Sequence, residues 1–66
     1  MTRKFTLTFK CDNAAFDDDT ADEIAAVLRH IADRLSSMGL PAAGDAKPVR
    51  DTNGNRIGEY RWSVKR

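Results

Sequence analysis

The chain has 66 residues, a formal net charge of +1, one cysteine, and 41% hydrophobic and 32% charged residues. That length makes one domain, residues 1–66, and buries only about 60% of the surface the unfolded chain exposes, which leaves little room for an enclosed catalytic pocket. One cysteine excludes an internal disulfide, and near-cancelling charges argue against a protein held to nucleic acid by phosphate contacts alone.

Residues 3–11 alternate in character. Phe5, Leu7, Phe9 and Cys11 point one way, and Lys4, Thr6, Thr8 and Lys10 the other. That period of two predicts a half-buried strand. Asp12 to Asp19 is a connection. Within it Phe16 is too large and apolar to leave in water, since its full burial is worth about 2 kcal/mol. It is expected to plug the core between strand and helix.

Thr20-Ala21-Asp22-Glu23 has the form of a capping box, in which Thr20 and Glu23 each satisfy the other's backbone N–H. It opens a helix over 20–38. Ile24, Val27, Leu28, Ile31, Leu35 and Met38 trace one apolar face at helical spacing. Gly39 is the expected stop, with Leu40 folding back over Leu35 and Pro41 preventing continuation.

Asn53-Gly54 is a strong hairpin signal. A two-residue type I′ turn there joins strands over 48–52 and 56–65. It opposes Asp51 to Arg56, Arg50 to Ile57 and Val49 to Gly58, which leaves Ile57 as a misfit on the polar side. The expected fold is α+β, in the order β-α-β-β. A three-stranded antiparallel sheet, order 1-3-2, carries one helix on one face.

Few constellations carry chemistry. His30 is the only histidine and has no cysteine near it on the helix, so it reads as a solvated surface residue rather than a metal ligand. Cys11 has no base in reach and reads as a buried or half-buried structural cysteine, a small hydrophobe rather than a nucleophile. Asp51-Thr52-Asn53-Gly54-Asn55 begins like a calcium loop. The EF-hand glycine and terminal acid are replaced by Arg56 and Trp62, so it reads as a plain turn. No catalytic set, metal site or cofactor is expected.

Charge is more informative. Six of the ten acids lie between Asp12 and Glu23: Asp12, Asp17, Asp18, Asp19, Asp22 and Glu23. They serve helix capping and solubility, and as a negative patch they would engage a basic surface on a partner. Lys4, Lys10, Arg50, Arg61 and Lys65 are expected on the open sheet face. There they form either a solvated polar face or a strip for nucleic-acid phosphates. Tyr60 and Trp62 face the helix, so the strip lacks the stacking aromatics that single-strand binders use.

The basic N-terminus has no apolar run behind it, so no signal peptide is read there. No segment approaches the ~20 apolar residues of a membrane span. A free thiol fits a reducing cytoplasm.

The segment T-L-T-F-K-C-D-N-A-A-F (Thr6 to Phe16), the helix segment Ile24 to Leu35 and the hairpin segment Arg50 to Gly58 resemble small phage and prophage proteins over most of the chain. That resemblance implies a phage or mobile-element origin, with the bacterial cytoplasm as location. Some very small proteins of this type are anti-CRISPR inhibitors. Similarity to them implies a non-enzymatic, monomeric or weakly dimeric protein that blocks a host protein or ribonucleoprotein complex, such as a type I CRISPR effector. On that reading the acids enter a basic nucleic-acid groove. The second reading is a small nucleic-acid-binding accessory protein using the basic sheet face.

Overall fold

Alternation at the start of the chain and aromatic content at its end produce the longest ladder in the molecule. The computed structural model describes all 66 residues. Strand β1 (Thr2–Phe9) pairs antiparallel with β3 (Arg56–Lys65), and β2 (Ala46–Arg50) pairs antiparallel with the other side of β3. The sheet order is β1-β3-β2, with helix α1 (Thr20–Met38) between β1 and β2 in sequence. This is the α+β strand–helix–strand–strand arrangement that the sequence predicts.

The register places Leu7 opposite Tyr60, and both Phe9 and Val49 opposite Gly58. Directly opposed residues share a sheet face, so these side chains form the floor under the helix. Phe16, Val27, Ile31, Val49 and Tyr60 are the buried core, and Leu7, Phe9, Cys11, Ile24 and Leu35 pack around them. Phe16 sits in a short 3-10 turn, Ala14–Phe16, and is 2% exposed. It is the plug that its size demands.

The helix buries a narrower stripe than its spacing suggests. Ile24, Val27, Ile31 and Leu35 face the core, but Leu28 and Met38 are exposed. A three-stranded sheet is not wide enough to cover the whole apolar face. Ile57 also departs from expectation: it is half-buried and packs against the core cluster, so it is no isolated apolar residue on the polar face.

Local signals were displaced by a residue or two. The N-cap is Asp19, whose carboxylate accepts from the Asp22 N–H at 3.0 Å. The Thr20 hydroxyl instead donates to the Phe16 carbonyl at 2.8 Å. No capping box forms, because Glu23 is used elsewhere. Gly39 does end the helix, its N–H donating to the Leu35 carbonyl, but its φ of 75° is combined with ψ of −170°. The chain therefore leaves extended; Leu40 stays exposed and Pro41 is the residue that is buried.

The hairpin loop is one residue longer than the two-residue type I′ turn expected. Gly54 is its only residue with positive φ, whereas type I′ needs two. The loop Thr52–Gly54 is closed by the Asp51 N–H on the Asn55 carbonyl and the Gly54 N–H on the Asp51 carbonyl, each at 3.0 Å. The ladder shifts between Val49 and Arg50, so Arg50 lies opposite Arg56 rather than Ile57. On the other side of β3, a Cβ at Gly58 would lie 2.6 Å from the Phe9 Cα. Glycine is what lets β1 and β3 close there.

Candidate functional site

The six acids grouped in the sequence are exposed, with one exception. Asp12, Asp17, Asp18, Asp19 and Asp22 are exposed. They occupy the β1–α1 connection and the first turn of α1. None of them is in an ion pair. Asp19 is committed to capping. The connection that carries them is fixed at two points, the buried Phe16 ring and the Asn13 amide. The exception is Glu23. It is half-buried, and its two carboxylate oxygens accept from the Thr52 N–H and the Thr52 hydroxyl, each at 3.0 Å. It clasps the hairpin loop to the helix and is not part of a free acidic surface.

Beside that clasp lies a group that sequence reasoning missed. Asp51 is 6% exposed. Its Oδ1 accepts from the N–H groups of Asn53 and Asn55, both at 2.9 Å, and its Oδ2 from the Asn13 amide at 2.6 Å and the Asn55 amide at 3.4 Å. Burial alone would raise its pKa. The hydrogen bonds from Asn55, Asn13 and Asn53 outweigh that and hold the carboxyl below its ordinary 3.8. The carboxylate satisfies loop N–H groups that would otherwise lack partners, an Asx-type arrangement. The sequence signal was Asp51 two residues before Asn53. Its bond to Asn13, 38 residues away, had no signal.

The basic strip is only partly assembled. Lys4, Thr6, Arg61, Ser63 and Lys65 share the open sheet face through the β1–β3 register. Arg50 does not join them. It lines a cleft with Ala26, Val27, His30, Asp51 and Thr52, beside a register shift that leaves Ile57 of β3 without a partner on β2. Its guanidinium donates to the Gly54 carbonyl at 3.1 Å. Lys10 lies just past the end of β1. Glu59 interrupts the strip. The Arg61 guanidinium donates to it at 2.8 Å and, with Arg56 at 3.9 Å, holds its carboxyl below the ordinary 4.5.

The cleft is shallow, about 330 Å³, and Cys11 does not line it. No three metal-ligating side chains converge anywhere in the chain. No helix is long and apolar enough to cross a membrane. Compared with protein-family models, curated proteins and solved structures, the chain matches none.

Proposed function

We propose that this chain is a non-enzymatic binding protein of phage or mobile-element origin that blocks a host defence complex, in the manner of anti-CRISPR inhibitors. Its acidic end is the binding surface, formed by Asp12, Asp17, Asp18 and Asp22 with Asp19 at its centre. The observation that carries this reading is the pinning of the acidic connection by Phe16 and Asn13. A loop held in one shape loses little entropy on binding, so its charges are pre-organised for a complementary surface. The partner class is a protein or ribonucleoprotein with a basic groove built for nucleic acid. Glu23 is engaged by Thr52 and stands apart from that surface.

The test is binding to purified type I CRISPR surveillance complexes at rising salt. The wild-type chain is compared with a variant carrying Asp→Asn changes at 12, 17, 18 and 22. Salt-sensitive binding that the variant weakens at least tenfold supports the proposal. No binding, or binding indifferent to the variant, overturns the mechanism. A gel shift with nucleic acid alone, lost on changing Lys4, Arg61 and Lys65, would favour the nucleic-acid reading instead.

A further inference from the structure

The two edges of the sheet are treated differently. On β2, Pro48 has no N–H to offer, and its carbonyl accepts from Arg34 at 3.4 Å. That edge is closed to another strand. On β1 no such device exists. The Lys10 N–H donates to the Ile57 carbonyl at 2.9 Å, which sets the alternation along the strand. Even-numbered residues turn their backbone groups toward β3. Arg3, Phe5, Leu7 and Phe9 turn theirs outward. Phe5, on the helix side of this edge, is 40% exposed.

We propose that β1 pairs antiparallel with β1 of a second copy, about a two-fold axis at Thr6, to make one continuous sheet. Charge selects both the partner and the register. With the axis at Leu7, Lys4 would oppose the second copy's Lys10. With the axis at Phe5, Lys4 would oppose the second copy's Thr6, whose neighbour on β3 is Arg61, so cations would align. With the axis at Thr6, Lys4 opposes the second copy's Thr8, whose neighbour on β3 is Glu59. Each Lys4 then reaches across a threonine toward a carboxylate, and like charges are not directly opposed. On the other face Phe5 meets the second copy's Leu7, which covers its exposed ring. Because β2 is blocked, the assembly closes as a pair and does not extend into fibres. An interface of one strand pair is small, so the dimer is weak and concentration-dependent.

Thr6 faces its own copy in a non-hydrogen-bonded pair, where Cα atoms lie about 4.5 Å apart, within disulfide range. In a Cys11→Ala background, Thr6→Cys is expected to cross-link to a covalent dimer at least tenfold faster than Lys4→Cys or Thr8→Cys. Sedimentation should show the wild-type monomer–dimer equilibrium shifting with concentration. Lys4→Glu should weaken it several-fold, and Lys4→Glu with Glu59→Lys should restore it. Amide exchange at Phe5 and Leu7 should slow as concentration rises, which reads the same pairing without any substitution. A chain that stays monomeric at several hundred micromolar overturns the proposal. So does Lys4→Cys or Thr8→Cys cross-linking as fast as Thr6→Cys, or exchange at Phe5 and Leu7 that ignores concentration.

Discussion

The Asn13 amide donates to the Asp51 carboxylate at 2.6 Å, tying the connection after β1 to the loop between β2 and β3. Every other strong partner of Asp51 comes from its own loop. One buried carboxylate therefore holds both the hairpin's shape and its place in the fold.

Acid titration should reveal that carboxylate. Its folded pKa lies below the ordinary 3.8. Its stabilisation is therefore fully present above that value and is lost as pH falls through the lower, folded one. Urea unfolding between pH 7 and pH 2 should show stability declining over the acid end of the range. Asp51→Asn should be less stable at pH 7 and should decline less steeply in acid. Asp45→Asn, at an exposed acid whose side chain makes no hydrogen bond, serves as the control for stability at pH 7.

Glu23 and Thr52 should couple energetically, and Glu23 and Thr20 should not. A double-mutant cycle of Glu23→Ala with Thr52→Ala is expected to give a coupling of about 1 kcal/mol, given two hydrogen bonds to a charged group at a partly wetted site. The same cycle with Thr20→Ala should give a value near zero. Equal couplings would mean that Glu23 also serves as a helix cap.

Gly58→Ala should cost about 2–3 kcal/mol, because its methyl group would collide with the Phe9 backbone. Gly54→Ala should cost about 1 kcal/mol, from its φ of 86° alone, since nothing lies within 4 Å of a Cβ there. The ranking is readable from denaturation midpoints.

Phe16→Ala should remove about 3–5 kcal/mol, a large share of what a domain this small can have. Phe5→Ala, at a residue 40% exposed whose ring lies 5.9 Å from that of Tyr60, should cost less, about 1–2 kcal/mol in dilute monomer. Comparable losses at the two positions would contradict the division between core and edge.

Much of this architecture was legible because it is periodic. The alternation from Phe5 to Phe9 and the spacing from Ile24 to Leu35 each repeat often enough to name an element, and strand lengths then put β3 in the middle. Single-residue signals did worse where neighbours compete. Asp17, Asp18, Asp19 and Thr20 are all capping residues, and only the path of the chain after Phe16 selects Asp19. Asn53-Gly54 marks a hairpin, but the Asp51 carboxylate holding the N–H groups of Asn53 and Asn55 stabilises a different turn from the one the dipeptide favours. With that turn Arg50 lies opposite Arg56 rather than Ile57. The exposure of Asp12, Asp17, Asp18, Asp19 and Asp22 follows from their place in a connection and the first turn of the helix. Glu23 instead engages Thr52, 29 residues away, and pairings at that separation leave no trace in local pattern.

Thr2 lies opposite Lys65 at one extremity of the β1–β3 ladder, and Phe9 lies opposite Gly58 at the other. Tension applied through the two chain ends would load the rungs one at a time, in the manner of a zip, and not all together in shear. Yielding should begin at low force among the threonines and arrest where Gly58 and the Asn13–Asp51 clasp are reached. Optical-trap traces of the tethered protein should then contain two events, a soft one and a harder one.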